Sequence, residues 1–180
     1  IGNADAELIT FTGGVAIGKY IASKAGYKRM VLELGGNDPL VVMEDADPAK
    51  AAALAAQGSY KNSGQRCTAV KRILVHERIA DEFTEHLVKI TKAWSYGDPL
   101  DPNVDMGTVI SEDAARLFER RVNDACAKGA KLLVGNQRSG ASYSPTVVDR
   151  VTPDMELVRE ETFGPVSPIV RFKDADEAIR

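Results

Sequence analysis

The stretch that most limits the fold is Met30-Val31-Leu32-Glu33-Leu34, closed by Gly35-Gly36. A run apolar at nearly every position reads as a buried strand of a parallel sheet. Parallel strands cannot be joined by a tight turn and need a crossover, usually a helix. Segments with helical character stand where such crossovers belong. Residues 7–12 are β-branched and aromatic enough for a short strand. After Gly13-Gly14, residues 15–25 carry apolar side chains at near-helical spacing. Leu40 to Met43 reads as another buried strand. Asp47-Pro48 reads as an N-cap and first helical residue, opening an alanine-rich helix that runs to about Tyr60 and must pack closely. Lys71 to Val75 reads as a strand. Ile79, Phe83, Leu87, Ile90 and Trp94 mark a second helix, and Ser111 caps a third whose stripe is Ala114, Phe118, Val122 and Ala125. Strands follow at 131–134, 144–149 and 166–172, with a loop over 137–144. The expected fold class is therefore α/β.

Composition narrows the function. A net charge of −3, with few aromatic residues and no basic surplus, argues against a general nucleic-acid binder. No apolar run reaches the roughly 18–20 residues of a membrane span. The two cysteines, Cys67 and Cys126, do not make a disulfide framework, which suits a reducing, cytoplasmic setting. His76 and His86 lack partners at metal-ligand spacing, so no metal is expected. The opening has no signal-peptide pattern. The start without Met and the close on a helix just begun, Asp174 to Arg180, read as an excerpt of a longer protein.

Four stretches carry candidate chemistry. Cys67 sits in Asn62-Ser63-Gly64-Gln65-Arg66-Cys67-Thr68-Ala69, a polar segment with Arg66 beside it and Lys71 and Arg72 close behind. That setting suits a reactive thiol, which needs access and an electropositive field. A structural cysteine is the alternative, and it is the reading for Cys126. Glu33 inside an apolar run is either paired or tuned for proton transfer, or simply faces outward by alternation. Gly13-Gly14 before a helix either presents backbone N–H groups to a ligand or makes an ordinary turn. Glu160-Glu161-Thr162-Phe163-Gly164-Pro165 is either a solvated loop or a fixed turn presenting an acid and a ring.

Taken together, Phe11-Thr12-Gly13-Gly14, Leu32-Glu33-Leu34-Gly35-Gly36-Asn37, Gly64-Gln65-Arg66-Cys67 and Glu160 to Pro165 resemble, in order and spacing, the NAD(P)-dependent aldehyde dehydrogenase superfamily. Glu33 lies 34 positions before Cys67, which is that family's separation of base and nucleophile. The resemblance implies the end of a Rossmann-type cofactor domain at residues 1–36. It implies an α/β catalytic domain at 37–180, incomplete at its C-terminus. Cys67 would be the nucleophile and Glu33 the general base that activates water. The oxyanion would be held by the Cys67 N–H and an upstream Asn. Gly13, Gly14, Leu34, Glu161 and Phe163 would contact NAD or NADP, with Glu161 on the nicotinamide ribose and Phe163 beside the ring. Many relatives have Ser where Gly14 stands, so the pyrophosphate contact falls to backbone here. Asn37 replaces a frequent Lys. A homodimer or homotetramer is implied.

Gly64 to Arg72 looks like the branch acting on anionic aldehydes, such as phosphonoacetaldehyde and glyceraldehyde 3-phosphate. Arg66 and Thr68 are the implied substrate contacts, a guanidinium being matched to phosphate or phosphonate oxygens. Alternatively Arg66 pairs with a nearby carboxylate. Two rivals stand beside aldehyde oxidation to the acid. One is a CoA-acylating semialdehyde dehydrogenase, which would not need Glu33. The other is a non-catalytic protein on the same fold.

Overall fold

In the computed structural model, strands β1 (Leu8–Thr12) and β2 (Arg29–Glu33) pair in parallel, in register from Leu8 opposite Arg29 to Thr12 opposite Glu33. Helix α1 (Val15–Lys24) makes the crossover. The structure describes residues 1–179; Arg180, the last residue of the expected terminal helix, lies outside them. The unit Ile1–Gly36 is compact by itself, and a second unit begins at Asn37. The first is a Rossmann-like strand–helix–strand piece. Gly14 is the N-cap of α1, and the Gly13 N–H donates to the Glu33 carbonyl at 3.0 Å. Gly18 lets the helix settle onto Leu34, since a Cβ there would lie 2.6 Å from a Leu34 methyl carbon.

The buried strand expected at 30–34 needs correction. Within this unit Met30 and Val31 are exposed, at 38% and 47%. Two strands and one helix leave too little structure to cover both faces.

The second unit is built on a five-stranded sheet. Its elements in chain order are β3 (Pro39–Val42), α2 (Pro48–Tyr60), β4 (Arg72–His76), α3 (Ala80–Ala93), α4 (Glu112–Ala127) and β5 (Lys131–Val134). A small hairpin follows, β6 (Arg138–Ser139) with β7 (Ser142–Tyr143), then β8 (Thr146–Asp149), α5 (Glu156–Arg159), β9 (Val166–Phe172) and α6 (Ala175–Ile179). Strand order is β3-β4-β9-β8-β5, parallel throughout except for antiparallel β5. The α/β class expected from the sequence is thus the one observed.

Side-chain alternation assigns the helices to faces. Val147 packs with Ile73, Ile169, and the α2 and α3 residues Ala52, Ala56, Phe83 and Leu87. Its neighbour Val148 packs with Val166 and the α4 residues Phe118 and Val122. Helices α2 and α3 therefore cover one face and α4 the other. The alanines of α2 do what their size requires: Ala52, Ala55 and Ala56 are fully buried. Asp47 caps that helix by accepting from the Ala49 and Lys50 N–H groups, and Ser111 caps α4 by accepting from Ala114.

Three local expectations differ. Strand β3 lies at a sheet edge rather than in the interior, leaving Val41 45% exposed. The loop expected at 137–144 holds the β6–β7 hairpin. One-turn α5 was not foreseen, being too short to show a period. No helix among the described residues is long and apolar enough to cross a membrane, and no cluster of His, Cys, Asp or Glu could hold a metal there.

Candidate active site

Between α2 and β4 the chain makes a contorted turn. Asn62, Ser63 and Gly64 lie consecutively in the left-handed region, with φ of 55°, 55° and 69°. For residues with a Cβ this costs about 1–2 kcal/mol each and needs bracing. The bracing is visible. Asn62 Nδ2 donates to the Gln65 carbonyl at 3.1 Å, Ser63 Oγ donates to the Gly107 carbonyl at 3.0 Å, and Gln65 Oε1 accepts from the Ile110 N–H at 2.8 Å. Beyond the turn, Cys67 and Thr68 face solvent while Ala69 is buried.

A second stretch backs onto this one. Buried Arg121 on α4 donates Nη1 to the Glu161 carbonyl at 2.6 Å and to Thr162 Oγ1 at 3.1 Å. Its Nε donates to Glu156 at 3.0 Å. Arg120 first, and Arg121 with it, hold the Glu156 carboxyl down at about 2. The anchored segment then turns sharply, with Gly164 N–H donating to Thr162 O and Val166 N–H to Gly164 O. Gly164 packs directly on Gly64. A Cβ on Gly64 would collide with the Gly164 carbonyl oxygen and lie 2.5 Å from its carbon. Thus Gly64-Gln65-Arg66-Cys67 and Glu161-Thr162-Phe163-Gly164 touch through their glycines.

Lys71 joins the two stretches. Its side chain is 1% exposed, and its Nζ donates to the Cys67 carbonyl at 2.6 Å and pairs with Glu161 Oε1 at 3.1 Å. It also lies 5.8 Å from the Phe163 ring centroid, within cation–π range.

The second unit therefore brings together Cys67, Thr68, Arg66, Glu161 and Phe163. Arg66 is turned back, Nη2 donating to the Gly58 carbonyl at 2.8 Å, while its Nε is buried without a hydrogen-bond partner. Glu161 is partly accessible and Phe163 is 40% exposed. The first unit holds the other candidates. Glu33 ends β2 with its side chain exposed, Leu34 is half-buried beneath Gly18, and Gly13 and Gly14 lead into α1.

Two residues that shape the site were not singled out from the sequence. Lys71 read only as part of the positive setting of Cys67, without its burial or its partners, yet a lysine placed against an apolar strand is rarely buried without a partner. Arg121 drew no reading, although it sits three positions after Phe118 on the buried stripe of α4. Both could have been noticed as charges at inward-facing positions.

These features define a class: α/β proteins that present a cysteine from a braced helix-to-strand turn, opposite a carboxylate and an aromatic ring. The chain belongs to the aldehyde dehydrogenase family, whose profile matches residues 1–180. It is 40% identical to a sulfoacetaldehyde dehydrogenase of Neptuniibacter caesariensis, covering 97% of this chain and 38% of that one. It is 41% identical to a 3-sulfolactaldehyde dehydrogenase of Priestia megaterium, covering 98% of this chain and 37% of that one. Among solved structures it is similar to the glyceraldehyde-3-phosphate dehydrogenase of Methanocaldococcus jannaschii complexed with NADP. That match has a TM-score of 0.93 and 41% identity, over 97% of this chain and 38% of the other. The chain thus spans well under half the length of these relatives.

Proposed function

We propose that the intact protein oxidises an aldehyde to its carboxylic acid with NAD or NADP, Cys67 serving as nucleophile and Glu33 as general base. The observation that carries this reading is an accessible Cys67, held on a strained and braced turn directly against the Glu161–Phe163 segment. The Cys67 thiolate adds to the aldehyde carbon, making a carbon–sulfur bond and an alkoxide. In this reading the Cys67 N–H stabilises that alkoxide. Hydride leaves this carbon, and a bound nicotinamide cofactor would supply its acceptor. The product on the enzyme is a thioester of Cys67. Glu33 takes a proton from water, the hydroxide displaces the thiolate, and the acid departs. The residues present suit the cofactor. Glu161 offers a carboxylate that can accept from ribose hydroxyls, and Phe163 offers an exposed ring face.

The substrate we propose is an aldehyde carrying a sulfonate, phosphate or phosphonate. Arg66 adjoins the nucleophile in the chain, and a guanidinium is matched to sulfonate, phosphate or phosphonate oxygens; to reach them it would have to swing out from the Gly58 carbonyl, where it now rests. Relatives named for sulfoacetaldehyde, 3-sulfolactaldehyde and glyceraldehyde 3-phosphate support the same class. Thr68, exposed one residue beyond the thiol, is the second contact.

The test is to compare phosphonoacetaldehyde or sulfoacetaldehyde with an uncharged aldehyde of similar size in the intact enzyme. A charge-assisted hydrogen bond of about 1.5–3 kcal/mol predicts that Arg66→Ala lowers kcat/KM for the anionic aldehyde roughly 10–150-fold. The neutral aldehyde should change little. Equal specificity constants that Arg66→Ala leaves alone would refute the anionic substrate. Turnover that survives Cys67→Ala would refute the thiol mechanism itself.

A further inference from the structure

Lys71 raises a question that the proposed reaction leaves open. Its ammonium is withdrawn from solvent, and three acceptors surround it: the Cys67 carbonyl at 2.6 Å, a Glu161 carboxylate oxygen at 3.1 Å and the Phe163 ring at 5.8 Å. Two of these are oxygens at hydrogen-bond or ion-pair distance, and the ring lies within cation–π range. The stem is equally fixed, because the Lys71 backbone N–H donates to the Asp38 carbonyl at 3.0 Å as the chain enters β4. Burying such a cation is unfavourable unless it is well paired, and here the pairing is divided between two distant pieces of chain. One partner is the carbonyl of the thiol residue itself. The others are the acid and the ring on the opposite side of the site. A lysine needed only for stability would be served by any carboxylate.

We propose that Lys71 is a positioning residue that couples Glu161 to Cys67. The inference rests on the assignment of Cys67 as nucleophile. Through its bond to the Cys67 carbonyl, the ammonium fixes the peptide that follows the thiol and so limits where the thiol points. Through its pair with Glu161, its charge at the thiol is partly neutralised by the carboxylate. Whatever engages Glu161 therefore alters the field at Cys67. The site can sense on its thiol side what is bound at its acid side, with one side chain as the link.

The experiment reads the thiol without turnover. The intact protein and its variants are treated with iodoacetamide, a neutral alkylating agent, and the Cys67 peptide is followed by mass spectrometry apart from that of Cys126. The thiolate is the reacting form, so a nearby positive charge speeds alkylation and a negative charge slows it. Glu161→Gln leaves the ammonium unopposed and should accelerate alkylation by about threefold or more. Lys71→Met removes the cation and should slow it by a similar factor. The double variant should return to within about twofold of wild type, because the two charges cancel in the native pair. Opposite signs with mutual cancellation are the signature of electrostatic coupling, and general loosening of the site would not produce them. Alkylation unchanged by Glu161→Gln, or changed in the same direction by both substitutions, overturns the proposal. Should Lys71→Met fail to fold, Glu161→Gln alone still decides, since that side chain is partly exposed. Aldehyde oxidation by the wild-type enzyme is assayed in parallel. Its absence overturns the functional reading, whereas wrong signs in the alkylation series with activity intact overturn only the role of Lys71.

Discussion

Replacing Gly64 by alanine puts the architecture of the site to a quantitative test. Two penalties act at this position and can be separated. The first is conformational. Gly64 has φ of +69°, where an L side chain costs about 1–2 kcal/mol. The second is steric. An added Cβ would meet the Gly164 carbonyl oxygen, and would lie 2.5 Å from the Gly164 carbon and 2.7 Å from the Ser59 carbonyl oxygen. All three atoms are backbone, so no flexible side chain can swing aside. Gly164 has little room either, since a Cβ on it would itself collide with the Phe118 ring, 2.6 Å from its Cζ. Overpacking of this kind costs a further 1–3 kcal/mol or so. Gly64→Ala should therefore destabilise by about 2–5 kcal/mol. Gly140→Ala is the matched control. Gly140 has φ of +56° in the β6–β7 turn, and a Cβ there meets nothing within 4 Å. It should cost only the conformational share, about 1–2 kcal/mol. Urea unfolding of both variants of the intact protein, compared through midpoint and slope, gives the difference, expected at about 1–3 kcal/mol. Gly64→Ala should also change the Cys67 alkylation rate, because the turn bearing Glu161 must shift; Gly140→Ala should not. If the two variants are equally stable, the close approach of Gly64 to Gly164 is not what holds the two segments together.

What could be read from the sequence, and what could not, follows the range of the interactions. The caps Asp47 and Ser111 were legible because capping is a bond between near neighbours along the chain. The packing of α2 was legible because alanine side chains are so small that a helix face made of them buries apolar surface only by close approach. Sheet order was not legible. Strand β9, last in the sequence, lies between β4 and β8, and nothing local to Val166–Phe172 encodes that. An apolar run also cannot declare how many neighbours it has, which is why edge strand β3 and exposed β2 both read as interior. As candidates, Cys67, Glu33 and the Glu161–Phe163 turn were picked out through motif chemistry. The left-handed turn at Asn62 and Ser63 was not, because Asn only tolerates φ above zero without requiring it and Ser gives no such signal. The buried pairing of Lys71, and Arg121 altogether, were missed for a different reason. Their partners are contributed by segments far along the chain, and a charge acquires such a role only once the fold places an acceptor beside it.

Two further outcomes test the charges of the molecule. The Glu156 carboxyl falls from 4.5 to about 2 in the folded protein, chiefly through its bonds from Arg120 and then Arg121. The folded state thus resists protonation, so this group stabilises above about pH 4.5 and its contribution is lost as pH falls from there towards 2. Glu156→Gln should flatten the acid side of the stability–pH curve over that window, read as the unfolding midpoint, and leave its slope near neutrality alone; an unchanged acid limb would contradict the pairing. The sharpest kinetic outcome concerns Glu33. General-base assistance is worth about 10²–10⁴ in rate, and in the proposed reaction it belongs to hydrolysis of the Cys67 thioester, not to the earlier oxidation. Glu33→Gln should therefore preserve a first turnover, seen as a burst of about one reduced cofactor per active site, while the steady state falls by that factor. The stalled acyl group should be found on the Cys67 peptide by mass spectrometry. A variant that loses the burst and the steady state together would place Glu33 before the thioester. One that keeps both would remove it from the reaction, and would reopen acyl transfer to CoA as the fate of the thioester.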